Sequence, residues 1–428
     1  MKLKLLLSLF LLISFTVSSQ TPSERKAIIS SYDLNKIEEF KNELISLNTK
    51  REKEINNYLS LNPSKKRKYT DANGRTFEIK YILDGKPIYI VTDAINSLKA
   101  TRTDYLNTGG GLGLNLDGQN MHVGAWDIEH ALTTHQELLY DTPIPQTRVT
   151  IGDAASTISD HATHVSGIII ARGVVPGSIG MATEATLTSY TATGDANEAL
   201  SAAGDGLLIS NHSYGIPVED SPSWFMGCYT SVSSNWDNVA YLSPYYLQVK
   251  SAGNAGTDEY TGGLATSYDK LTGNSTSKNN LVVANANNPT ITGSGELSPI
   301  SLFINSSSSQ GPTDDGRVKP DITGDGTSVI SCVGPGNTDY SSLTGTSMSA
   351  PNVAGSLLLL QQYNNQLNGS YMKASTLKGL ACHTADDDHI LTGPDAFVGW
   401  GLLNAKAAAE TLLDETQNQA LITENSLN

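Results

Sequence analysis

From residue 109 onward, five short strand-like runs at 121–127, 186–192, 207–214, 246–252 and 281–285 alternate with helical or loop-forming segments. Strands separated by such lengths of chain return by crossover rather than by tight hairpin, which gives a parallel sheet with helices on both faces. The fold class expected is therefore α/β, three layers around a central, mostly parallel sheet. Open sheets of this kind present reacting groups at the ends of their strands.

Three motifs fit that placement. GTSMSAP at 345–351 sets Ser347 just ahead of the apolar run 353–360. Its hydroxyl is then expected at a helix N-terminus, where unpaired N–H groups and the helix dipole favour a developing anion. A serine hydroxyl also needs a base, and the base needs a group to orient it. DHATHVSG at 160–167 supplies His161 at the start of the apolar stretch 165–171, and MHVGAWD at 121–127 alternates apolar residues and ends on Asp127. His161 and His164 lie three apart on one helix face, a spacing that also suits a metal, but the segment lacks the glutamate of a His-Glu-x-x-His zinc site. His164 is expected to pack.

With Asp127, His161 and Ser347 in that chain order, the sequence resembles the subtilisin-like serine proteases, the subtilases. The resemblance runs from about 109 to 412 and takes in SYG at 213–215, SAGN at 251–254, GPTDDGRVKPDI at 311–322 and GWGLLNA at 399–405. It implies that His161 is the general base, Asp127 its orienting group, Ser347 the nucleophile and Asn254 a side-chain donor to the oxyanion. It further implies that Ser213, Tyr214 and Gly215 on one side, and Ser251, Ala252 and Gly253 on the other, are two extended edges that pair with substrate backbone. Gly262 and Gly263 are candidate walls of the adjoining side-chain pocket. Four positions depart from the family pattern and bear on loop geometry. Ile128 and Glu129 follow Asp127 where a small residue and glycine are usual, Ala162 stands for glycine, and Thr183 stands where proline is frequent.

The leading region reads differently. Lys2 and Lys4 precede an apolar run at 5–17 that is short of the about 20 residues a membrane helix needs, so 1–19 is expected to be a signal peptide and the protein secreted, extracellular or periplasmic. Apolar residues from Leu34 to Leu59 fall on one helical face, and 77–92 reads as a hairpin around Asp84 and Gly85. Residues 1–108 hold 18 Lys+Arg and 12 Asp+Glu, a formal +6, against 10 and 31, or −21, in the remainder. So acidic a main body excludes nucleic acid as its partner and suits docking of a basic segment.

The organisation expected is a signal peptide at 1–19, a pro-segment and linker at 20–108 that loosens over 101–107, a catalytic domain at 109–412 and a polar tail at 413–428. The resemblance implies that the pro-segment blocks the cleft until it is removed. Partners expected are protein or peptide substrates and the chain's own pro-segment, with no membrane span and a monomeric state. The chemistry needs no cofactor. Family members often hold structural calcium, and Asp386, Asp387 and Asp388 offer oxygen ligands without an EF-hand pattern; a solvated acidic loop is the alternative. Cys228, Cys332 and Cys382 leave at least one thiol unpaired. Two other functions compete with a secreted serine endopeptidase, namely an inert binding protein on the same fold and a serine esterase. The intact Asp127, His161, Asn254 and Ser347 count against the first, and the lack of a G-x-S-x-G elbow against the second.

Overall fold

The computed structural model describes residues 21–70, 76–92, 99–154, 157–219, 221–263, 268–388, 390, 393–418 and 421–425, so the expected signal peptide lies outside the described residues. The chain opens with helices α1 (Pro22–Ile29) and α2 (Leu34–Leu61), then an antiparallel sheet of β1 (Lys68–Thr70), β2 (Thr76–Leu83) and β3 (Lys86–Thr92). Thr21 and Glu24 form a capping box that starts α1. Asp84 and Gly85 both take positive φ, 47° and 74°, the mirror-image turn whose twist matches the β2–β3 hairpin. Helix and hairpin thus follow the expected pattern.

Next come β4 (His122–Asp127), β5 (Val149–Ile151), α3 (Asp160–Ile170), β6 (Thr186–Thr191), α4 (Asp195–Gly204), β7 (Ile209–His212) and β8 (Tyr214–Gly215). They are followed by α5 (Ser231–Leu242), β9 (Leu247–Ser251), β10 (Leu281–Ala286), β11 (Ile322–Asp325) and the hairpin β12 (Val329–Val333) and β13 (Asp339–Leu343). The helices α6 (Thr346–Asn368), α7 (Ala374–His383) and α8 (Ala405–Asn418) close the fold. Seven strands pair in the order β11-β10-β9-β7-β4-β6-β5, all parallel, as the alternating pattern requires. β5 and β11 are extra to the five expected strands; three or four residues each, they carry too little apolar pattern to be read. α6 runs beneath the sheet, and Thr346 through Asn364 are buried without interruption. A helix enclosed on all sides must be small or apolar, or have its polar groups paired; most of these residues are small or apolar, and the buried Asn352, Gln361, Gln362 and Asn364 hydrogen-bond to Thr101, Met372, Gln119 and Ser370.

Two expectations are corrected. Residues 101–107 are not a loose linker, because Thr101, Arg102, Thr103 and Leu106 are fully buried. The hydroxyls of Thr101 and Thr103 reach Ser356 Oγ on α6, at 3.4 and 2.5 Å, and Arg102 pairs with Asp386. These polar residues answer a polar stripe on a buried helix, a pairing invisible in composition. The tail does not begin at 413 either. α8 continues to Asn418, and Glu424 returns to α7, accepting from the Lys373 N–H at 3.2 Å.

The leading segment is joined to the main body through a shared core. Ile28, Tyr32, Ile37, Leu44, Tyr81 and Ile88 belong to the same apolar cluster as the sheet, and α2 packs against α4. Ion pairs cross the junction, among them Lys68–Glu129 at 2.5 Å and Lys80–Asp195 at 2.9 Å. The docking is thus chiefly apolar, with charge confined to specific pairs. Glu129, one of the departures from the family pattern, has its partner here. Among the described residues no helix is long and apolar enough to cross a membrane.

If 101–107 is core, Leu106→Ala should lower the unfolding free energy by about 2–5 kcal/mol, the usual cost of emptying a buried leucine site. Urea unfolding of the full chain carrying Ser347→Ala measures it; a change near zero would return the segment to linker.

Candidate active site

β4 carries Asp127 out of the sheet as its last residue, and Ser159 caps α3 so that His161 stands in its first turn. Asp127 Oδ2 meets His161 Nδ1 at 2.6 Å, and Asp127 Oδ1 accepts the Ile128 N–H at 2.7 Å. An ionised carboxylate only accepts, so Nδ1 holds the ring proton and Nε2 carries the lone pair. Both side chains are buried. His164, three residues on, donates from Nε2 to the Ser341 carbonyl at 3.2 Å; burial, and then the nearby His161, push it down to about 3, so it is neutral packing. The two histidines do not form a metal pair.

Ser347 is the second residue of α6 and fully buried. Among the described residues its hydroxyl donates to the Ser213 carbonyl at 3.2 Å, while the Ser213 hydroxyl donates to the Ser347 carbonyl at 2.7 Å. The α6 terminus comes close to the end of β11 because Gly326 has no side chain: a Cβ there would stand 2.3 Å from the Gly345 carbonyl oxygen. Asn285 Oδ1 holds that turn, accepting from the Gly326 N–H at 2.7 Å and Ser349 Oγ at 3.1 Å. Asn254 Oδ1 accepts from the N–H and hydroxyl of Thr346, at 2.9 and 3.1 Å. With its oxygen so fixed, the Asn254 amide can present Nδ2 as a donor beside Ser347. β4 and α3 thus bring Asp127 and His161 together, while the start of α6 sets Ser347 against Ser213 and next to Thr346, which Asn254 holds.

The expected substrate edges differ from each other. Tyr214 and Gly215 lie on an edge that pairs antiparallel with β3, Thr92 opposite Tyr214 and Val91 opposite Gly215. The other stretch is not an open edge. The Ala252 N–H donates to Val283, the Gly253 N–H to Thr346 Oγ1, and the Gly253 carbonyl accepts from Ser309. Ala252 and Gly253 are instead held as one wall of a small cavity of about 30 Å³, which Gly215, Asn254 and Lys270 also line. Gly262 and Gly263 do not line it; Gly262 faces Ser223.

Behind β8 lies a buried polar chain that the motifs did not announce. Tyr214 donates its hydroxyl to Asp195 Oδ2 at 2.6 Å, so His212 Nδ1, 3.0 Å from that hydroxyl, is the donor to it, and His212 Nε2 accepts from Ser210 at 2.8 Å. Burial holds His212 down to about 3, and its ring stacks on Trp126, which stacks in turn on Tyr190. Lys250, fully buried, ties the end of β9 to β8 by donating to the carbonyls of Tyr214 and Ser251. Only the polarity of Lys250 within an apolar strand could have drawn attention to this group. Trp126 also donates to Glu198 Oε2 at 3.0 Å. Burial pushes Glu198 up to about 7, with Asp153 and Asp195 adding to the rise and the Trp126 bond opposing it.

The proposed calcium run turns to protein partners: Asp386 to Arg102 and Asn404, Asp388 to the Ile390 N–H. Among the described residues no three His, Cys, Asp or Glu side chains converge as a metal site, and none of the three cysteines is in a disulfide.

A model of the subtilase family matches residues 127–401, which span the Asp127, His161 and Ser347 positions. The chain belongs to that family. This subtilase is 53% identical over 60 residues to the C5a peptidase of Streptococcus pyogenes, covering 14% of this chain and 5% of that protein. It is 28% identical over 269 residues to bacillopeptidase F of Bacillus subtilis, covering 59% of this chain and 17% of that protein. The chain thus matches only a small part of the length of these relatives. Its fold resembles the CspB protease of Clostridium perfringens with a TM-score of 0.58 at 15% identity, over 74% of this chain and 100% of that one.

Glu198 yields a prediction of stability against pH. Its folded value, about 7, exceeds its ordinary 4.5, so its contribution is fully present below about 4.5 and is lost as pH rises through about 7. Glu198→Gln keeps the Trp126 bond and removes the titration. The variant should therefore gain in melting temperature on the parent between about pH 5 and about pH 8, and a pH-independent difference would contradict the assignment.

Proposed function

We propose that this subtilase is a secreted serine endopeptidase that cleaves peptide bonds through an acyl-enzyme on Ser347. The observation that carries the reading is the 2.6 Å Asp127–His161 pair standing with a helix-start serine and a tethered asparagine. In the proposed reaction the Ser347 hydroxyl turns from the Ser213 carbonyl toward His161 Nε2, which takes its proton as the oxygen attacks the substrate carbonyl. Asp127 holds the imidazole and stabilises its charged form. The Ser347 N–H and Asn254 Nδ2 receive the oxyanion, and the protonated His161 then gives its proton to the leaving amine. Water deacylates the enzyme by the same groups in reverse. No step calls on a metal or cofactor.

In the same reading, residues from about 21 to the stretch before Ala100 are a pro-segment. β3 lies along β8, where a substrate strand would pair, so the segment blocks the cleft until it is cut. The inert-scaffold alternative would not need the Asp127–His161 bond, and an esterase would have no use for a strand-pairing edge.

Phenylmethylsulfonyl fluoride should label Ser347 and abolish casein hydrolysis. Ser347→Ala should remove about six powers of ten of turnover, a magnitude carried over from subtilisin, and adding His161→Ala should cost little more. Chelator-sensitive, fluoride-insensitive hydrolysis would refute the assignment.

Since Thr101, Arg102, Thr103 and Leu106 are core, N-terminal sequencing of the mature enzyme should find its first residue upstream of Ala100 rather than at the glycine run 109–111. The Ser347→Ala chain should accumulate uncut. An active enzyme that still begins near Thr21 would make the segment a permanent part of the protein.

A further inference from the structure

Lys80 sits at an irregularity in its sheet. The β2–β3 register shifts between Ile79, opposite Tyr89, and Tyr81, opposite Ile88, leaving Lys80 as the unpaired extra residue of a bulge. A bulge re-aims the side chain it carries. Here it sends the ammonium out of the segment and into the main body, where the Lys80 side chain is only 9% exposed. It meets Asp195 Oδ2 at 2.9 Å, donates to the Ala192 carbonyl and lies 5.7 Å from the centre of the Tyr214 ring. A carboxylate, a carbonyl and an aromatic face are the three groups that recognise a basic side chain.

This socket belongs to the main body, whereas its occupant belongs to the segment. Asp195 is the first residue of α4, and its other partners are the Ala196 N–H at 2.7 Å and the Tyr214 hydroxyl at 2.6 Å. Among the described residues Lys80 is its ion-pair partner. Burial would raise the Asp195 carboxyl; Lys80 and Tyr214 outweigh it and hold the group ionised. When the segment leaves, a buried carboxylate loses its counter-charge and stays aimed at the vacated space. Tyr214, which floors that space, follows directly on Ser213, whose carbonyl receives the Ser347 hydroxyl. The socket therefore lies along the edge that leads to the nucleophile.

We propose that Asp195, the Ala192 carbonyl and Tyr214 form a subsite that selects a lysine or arginine side chain of the substrate, and that Lys80 fills it in the precursor. The proposal rests on the reading of the leading segment as removable and of β8 as the substrate edge. It makes the segment's occupancy a template for specificity: a neutral side chain in the socket leaves Asp195 without a cation, and a basic one restores it.

The test uses mature enzyme whose N-terminus has been sequenced, assayed on fluorogenic peptides carrying Lys, Arg, acetyl-lysine or norleucine at each position before the scissile bond. At one position Lys or Arg should raise kcat/KM over both neutral residues by about thirtyfold, the lower end of what a buried charge pair commands. Asp195→Asn should bring that ratio close to one. Should the Asn variant not fold, Asp195→Glu serves instead, since moving the carboxylate by one methylene should change the preference between Lys and Arg. Flat specificity in an active enzyme that has lost the segment, or a preference unaltered in these variants, overturns this inference alone. An active enzyme that still retains Lys80 overturns both it and the reading of the segment.

Discussion

Because α6 is enclosed from Thr346 to Asn364, its place in the molecule is set by everything that packs on it, and Ser347 in its first turn is placed by the same packing. The helix lies against α3, which carries His161, and against β7, β9 and β10, which lead to Ser213, Asn254 and Asn285. A buried helix cannot slide or rotate without opening voids in a close-packed interior. The relative positions of Ser347 and His161 are thereby fixed by apolar burial, and the polar contacts at the rim only refine them. The reciprocal bonds between Ser347 and Ser213 and the clasp of Asn254 on Thr346 are such refinements.

The leading segment uses the same economy of means. Its apolar residues join the main core, so most of its docking energy is of the non-directional kind. Direction comes from polar contacts such as β3 along β8, Lys68 on Glu129, Lys80 on Asp195 and Asn365 on Glu24. Glu129 stands two residues from Asp127, and Asp195 touches Tyr214, so both ion pairs terminate next to proposed functional groups. Part of the charge difference between the two parts of the chain is thus met in local pairs, of which Lys80–Asp195 is shielded from solvent and little affected by salt.

Much of the site was legible because its residues lie in local signatures. Ser347 precedes an apolar run, His161 opens another, Asp127 ends an alternating strand, and Asp84-Gly85 can hardly be other than a turn. What escaped were features whose meaning depends on a partner far along the chain. Thr101 and Thr103 look like linker until Ser356 is set beside them, and nothing local marks Asp195 until Lys80 arrives from more than a hundred residues upstream. The stretch 251–253 is not an open edge for the same reason, since Val283, Ser309 and Thr346 bond the Ala252 N–H and both backbone groups of Gly253.

The sequence by itself determined the α/β class, the order of the strands along the chain, and the resemblance to the subtilases. These follow from periodicity and from short motifs, both of which act over a few residues. Only the tertiary structure decided that 101–107 is core, that β8 pairs with β3 while the backbone of 252–253 is bonded elsewhere, and that Asp195 meets Tyr214 and Lys80. Those outcomes depend on hydrogen-bond and charge partners brought together from distant segments. A buried polar group is defined by what satisfies it, and no local pattern names that partner.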